Sequence, residues 1–165
     1  MNRIKFTSTV VIFCLLFSSL SFAFDQKKVL RGLKGVKVIV NYIPPDIERL
    51  GLTRELIQNT VETKLRKLGI KVYNKSAMST LFVRMNAINV KSKRIVIFHI
   101  GLNLVEWTYL KRGVGTVGDL MEVHATDWYN GKLGFVNTSS VKIILKTVEE
   151  LVDKFSYDYL AVNPS

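Results

Sequence analysis

Between Leu81 and Tyr129 the chain shows no helical period. Three runs, TLFVRMNAINV, RIVIFHIGLNLVEWTYL and VGDLMEVHATDWY, alternate or stay apolar in the manner of strands, divided by a lysine-serine turn and a glycine-rich one. A stretch of this kind folds as an antiparallel meander. A meander with one apolar face needs a second layer over it, and the segments on either side must supply that layer.

Upstream, the basic approach KKVLRGLKGVK (Lys27 to Lys37) leads into VKVIVNYI, where Val36, Val38, Val40 and Tyr42 alternate onto one face of a first strand. Pro44 and Pro45 end it, because neither can donate to a ladder. TRELIQNTVETKLRKLG is a helix by its stripe of Leu56, Ile57, Val61, Leu65 and Leu68. Thr53 is placed to cap its start, Lys64, Arg66 and Lys67 suit its negative end, and Gly69 stops it. Ile70 to Tyr73 then resumes as a short strand, parallel to the first.

Downstream, Asn130-Gly131 predicts a tight hairpin turn into a short run, Lys132 to Val136. A second helix follows, capped by Thr138 or Ser139, with Val141, Ile144, Val148, Leu151, Phe155 and Tyr159 as its stripe. The expected fold is therefore an α/β (α+β) two-layer sandwich. Its mixed sheet has about six strands, a βαβ unit plus a meander, with two helices on one face.

The first 23 residues stand apart. Arg3 and Lys5 precede an apolar run, Val10 to Phe17, about half the ~20 residues needed to span hydrocarbon. Ser21-Phe22-Ala23 places small residues where a signal peptidase reads them, so cleavage is expected after Ala23. Phe13 before Cys14 argues against a lipidation site, where a small residue normally stands. Of the 165 residues, 23 are leader and 142 remain, enough for one globular domain over 24–165. Cys14 is the single cysteine, so the exported part is stabilised without disulfides and carries no thiol chemistry.

Charge narrows the partners. The chain is formally +11, and since the leader holds two basic and no acidic residues, the remainder is +9. Such a surface draws anionic envelope components or an acidic protein patch. Export excludes nucleic acid as the natural partner, and Lys27, Lys28, Arg31 and Lys34 are the expected contacts to an anionic surface, including peripheral contact with a membrane.

No cofactor is expected. Gly113 to Gly118 reads GVGTVG, but DLMEVHATDW behind it alternates like a strand rather than opening the helix a dinucleotide loop requires. Ser139-Ser140-Val141-Lys142 matches the SxxK of penicillin-recognising enzymes without their Ser-Asp-Asn or Lys-Thr-Gly partners, and reads as a helix cap.

Strand parity puts His99, Asn103, Trp107, Glu122, His124 and Trp128 on the face turned away from the helices, together with Arg84, Asn86 and Thr126. Polar residues at period two with two indoles predict a partner-binding face. The alternative is a small periplasmic hydrolase or metal-dependent enzyme using His99, Glu122 and His124, since zinc needs at least three such ligands.

VEELVDKFSYDYLAVNP, with LRGLKGVKVIVNYI and GLTRELIQNTVETKLRKLGIKVY upstream, resembles a group of small exported bacterial envelope proteins of unassigned function. These share a glycine-valine strand, a GLT-led helix and a DxFxxDYLxVNP ending. The resemblance covers most of the chain after the leader and implies an envelope location, with no catalytic residue to carry over. At the level of fold alone the pattern is also similar to the amino-terminal domain of TolB. Together these readings lead to an exported, non-catalytic envelope protein, periplasmic or secreted, that binds a protein partner or an anionic ligand.

Overall fold

The computed structural model describes residues 26–74, 79–111 and 120–164, with backbone alone for 109–111 and 120–123. The expected cleavage site and the GVGTVG motif lie outside the described residues. Four strands form one open mixed sheet in the order β1 (Lys37–Val40), β2 (Ser79–Val90), β3 (Ile95–Lys111) and β4 (Leu120–Asn137). β1 runs parallel to β2, and β2 to β4 form the antiparallel meander.

The two main helices are α1 (Arg54–Lys67) and α2 (Ile144–Val162). Thr53 caps α1 as its residue type predicts, its hydroxyl accepting the Leu56 N–H at 3.2 Å. Gly69, at φ +81°, lets the chain reverse so that the Ile70 N–H reaches the Leu65 carbonyl at 3.0 Å. α2 is entered differently from the expectation. Thr138–Ile143 winds as a 3-10 turn, and no side chain caps the helix behind it.

The helical stripes and the inward side of the sheet share one core. Ile57, Val61 and Leu65 of α1, and Ile144, Val148, Leu151 and Phe155 of α2, meet Val38, Val40, Leu81, Val83, Ile100, Leu102 and Leu104. At about 25 cal/mol per Å² of apolar surface removed from water, that shared burial is the main source of stability in a chain with no disulfide.

Among the described residues the sheet has four strands rather than about six, for two reasons. Ile70 to Tyr73 contributes a single parallel bridge, Val36 to Val72, beside the start of β1, and the parallel partner of β1 is the start of β2. Asn130-Gly131 makes no turn. β4 continues through it to Asn137, because β3 offers an unbroken seventeen-residue edge and the Tyr129 ring lies over Gly101 and Gly131, where other residues would carry side chains. Tyr42 stands beyond the end of β1 and is exposed rather than inward.

β3 and β4 outrun the rest. Ser79, the first residue of β2, pairs with Glu106, so the pairs from Trp107–His124 to Lys111–Leu120 form a two-stranded arm beyond the body of the sheet. One irregularity interrupts the β3–β4 ladder. Leu104 faces Trp128 while Val105 faces Thr126, leaving Asp127 as the extra residue of a bulge.

Candidate functional site: an end cleft and the open face of the sheet

That bulge redistributes the expected face. A one-residue insertion moves every later side chain to the other side of the sheet. Upstream of it, Trp107 and His124 face each other on the outer surface with ring centroids 3.6 Å apart, as parity predicts. Downstream, Trp128 turns inward. It is 1% exposed, sets its ring edge-on to Phe155 at 5.1 Å, and donates its Nε1–H to Asp158 at 3.2 Å. Trp128 is therefore a core residue, and its placement on the partner-facing surface is corrected.

The other expected face residues scatter. The Nε2 of His99 lies 3.1 Å from the Tyr129 hydroxyl, on the outer surface. Asn103 is on the same surface but buried, only 8% exposed, and its Oδ1 has no hydrogen-bond partner among the described residues. Glu122 sits in the arm opposite Tyr109, and its side chain lies outside the described residues.

His124 pairs with Trp107, eight positions along β3 from His99. At about 3.3 Å per residue the two histidines stand roughly 27 Å apart, far beyond the reach of one metal ion or one proton transfer. Among the described residues no three His, Cys, Asp or Glu side chains converge as a metal site would require.

A cleft forms instead where the two layers end. It measures about 420 Å³ and is walled by the Arg31–Gly35 loop and Tyr73 on one side and by Ser79, Glu106 and Trp107 on the other. Two groups of residues singled out separately in the sequence thus meet, since Arg31 and Lys34 share the cleft with Trp107. Arg31 and Lys34 are exposed and form no ion pair among the described residues. Lys27 is engaged elsewhere, 3.6 Å from Asp158 and over the Tyr157 ring, while Lys28 is exposed on the turn before the loop.

The loop is held by the end of α2. Asn163 donates from Nδ2 to the Leu30 carbonyl at 2.8 Å and accepts the Gly32 N–H at 2.7 Å, and the Tyr159 hydroxyl donates to the Leu33 carbonyl at 2.9 Å. The DYLAVNP ending therefore fastens the cationic wall of the cleft. Gly35 completes that wall at φ +148°, with the Lys71 carbonyl where a Cβ would press.

The opposite wall is acidic. Ser79 donates its hydroxyl to Glu106. Asp127, in the bulge and outside the cleft lining, has its pKa raised above the ordinary 3.8, first by loss of hydration and then by the charge of Glu106. One side of the cleft carries Arg31 and Lys34 with the Tyr73 phenol, the other Glu106 with the Trp107 indole.

Sequence reasoning missed Tyr73, Ser79 and Glu106 in the cleft and Asp127 in the bulge. The joining of Ser79 and Glu106 depends on which residues β2 and β3 place opposite each other, which no local pattern encodes. It also missed Leu133 and Phe135 on the outer face, although their alternation with Tyr129 is visible once Asn130-Gly131 is taken as strand.

No protein-family model matches the chain. No curated protein matches it in sequence either. Among solved structures it is similar to a minor lipoprotein from Acinetobacter baumannii, with a TM-score of 0.31 and 11% identity over 79% of this chain and 93% of that one. So low a score transfers nothing to this molecule. Among the described residues, no helix is long and apolar enough to cross a membrane.

Proposed function

We propose that this is an exported, non-catalytic protein of the bacterial envelope that binds a small ligand carrying an anionic group in the end cleft. One observation carries the reading: Arg31 and Lys34, without acidic partners among the described residues, converge with Trp107 on a cleft whose loop is already fastened by Asn163 and Tyr159. A pre-formed, partly apolar cavity with a few convergent polar groups is the usual form of a small-molecule site, and its volume falls in the ordinary range. The anionic group would sit between the two cations and the apolar body on the Trp107 ring. Any cationic group would turn toward Glu106.

Export rests on the leader. Purification from the native envelope fraction is expected to yield a chain beginning at Phe24, and a chain that begins at Met1 in the cytosol would remove the envelope reading. Ligand binding has its own readout, because Trp107 is half-exposed in the cleft while Trp128 is sealed in the core. Titration with a panel of inorganic phosphate, glycerophosphate, glycerophosphoethanolamine and N-acetyl amino acids should give saturable quenching of Trp107 by at least one compound. Arg31→Ala with Lys34→Ala should weaken that compound about tenfold or more, which corresponds to about 1.4 kcal/mol. Quenching by none of them, or affinity unchanged in the double variant, refutes the cleft as the site.

A further inference from the structure

The outer face of the sheet ends in an apolar corner well away from the cleft. Ile88, Ile97 and Phe135 stand side by side across β2, β3 and β4, with Leu133 in the next row. Ile88, Leu133 and Phe135 are 68%, 76% and 75% exposed, and no described element packs over them. Arg84 lies on the same face, and the turn between β2 and β3 adds Lys91, Lys93 and Arg94 beside the corner. None of these four cations has an acidic partner among the described residues.

The sequence removes every acid from this region. No Asp or Glu occurs from Thr63 to Val105, nor from Trp128 to Val148, so β2, its turn, β3 as far as Val105 and β4 from Trp128 onward carry no negative side chain. A patch of protruding apolar side chains, rimmed by cations and free of acids, matches the interfacial layer of an anionic bilayer. Apolar tips enter the acyl boundary there, while lysine and arginine heads stay among the phosphates.

We infer that this corner docks the protein peripherally on an anionic lipid surface, independently of the cleft. A second copy of the chain is a poor occupant, because a two-fold contact would press the same cations together. An acidic protein would satisfy the charge, but nothing at the corner forms a recess to receive its anchors, whereas a bilayer admits protruding side chains without a matching shape. Glu106, in the cleft, pairs nine positions along β3 from Ile97, so docking would leave the cleft roughly 30 Å from the corner and open to the aqueous side.

The test is co-sedimentation of the processed protein, purified from its host, with vesicles of phosphatidylcholine containing one quarter phosphatidylglycerol. Binding is expected to these vesicles and not to pure phosphatidylcholine, and to fall about tenfold or more between 0.05 and 0.5 M salt. Leu133→Asp with Phe135→Asp, both at exposed positions, should abolish it, whereas Lys28→Glu with Arg31→Glu and Lys34→Glu should not. Phe135→Trp gives a second readout, a blue-shifted emission quenched by brominated acyl chains when vesicles are added.

No binding to the anionic vesicles, binding that survives the Leu133 and Phe135 substitutions, or binding lost through Lys28, Arg31 and Lys34 instead would each overturn the inference. So would a tryptophan at 135 that keeps its aqueous emission. An acidic protein that co-purifies on this face and is released by the Leu133 and Phe135 substitutions would overturn it too, in favour of a protein partner. The Trp107 titration remains unaffected in every case.

Discussion

Asp127 owes its position to the bulge, half-buried beside Glu106, and its raised pKa makes it a source of pH-dependent stability. A carboxyl whose folded pKa lies above its unfolded value costs stability while ionised. That cost is relieved as pH falls through the folded pKa and is gone below the unfolded one, near 3.8. Asp127→Asn should therefore be more stable than the parent at pH 7, with the gap closing on acidification toward pH 4. Urea unfolding at pH 7, 5 and 4 measures it, and a gap independent of pH would contradict the assignment. The two indoles divide as the bulge divides them. Trp128→Ala removes a ring packed on Phe155 and the N–H that Asp158 receives, and should cost about 3–5 kcal/mol. Trp107→Ala, on an exposed side chain, should change stability by only about 0.5 kcal/mol in the same assay.

At the scale of elements, the end of α2 acts as a clamp. Phe155 and Tyr159 face the core, Asp158 takes Trp128 and Lys154, and Asn163 reaches back to the loop after the first turn. Asn163→Ala strips hydrogen bonds from the Leu30 carbonyl and the Gly32 N–H and should cost about 1–3 kcal/mol. Amide exchange in Arg31 to Gly35 should quicken well before exchange in β2 and β3, which would locate the effect in the cleft wall. Gly35→Ala attacks the same wall from its other end. Its Cβ would lie 2.5 Å from the Lys71 carbonyl oxygen at a φ that side chains rarely adopt, so a loss of about 1–3 kcal/mol is expected in urea unfolding. Both variants should weaken ligand binding without touching the ligand's charged partners.

Across the whole molecule, the two strand-bearing regions without acids, set against an acidic pair at the far end, give the sheet a polarity from the corner at Phe135 to the cleft at Glu106. Because one continuous core joins both helices to the sheet, unfolding followed by Trp128 fluorescence and by far-ultraviolet circular dichroism should coincide in a single transition. Separate midpoints would mean that the layers fold independently. Much of this was legible beforehand. The period of α1 and α2, the Thr53 cap, the Gly69 stop and the alternation of β2 and β3 are local, since each depends on residues within a few positions of one another.

The positive balance and the absence of a structural disulfide after Cys14 were equally plain from composition. What only the tertiary structure decided was non-local. Whether Asn130-Gly131 turns or runs straight depends on the edge β3 presents to it. The inward turn of Trp128 depends on one extra residue at Asp127, and the meeting of Arg31 with Trp107 on a loop fastened from the other end of the chain. Local chemistry settles which segments are helix or strand, because capping and periodicity act over single turns. Register, bulges and the union of distant segments are chosen by what the whole sheet and its cover can bury together.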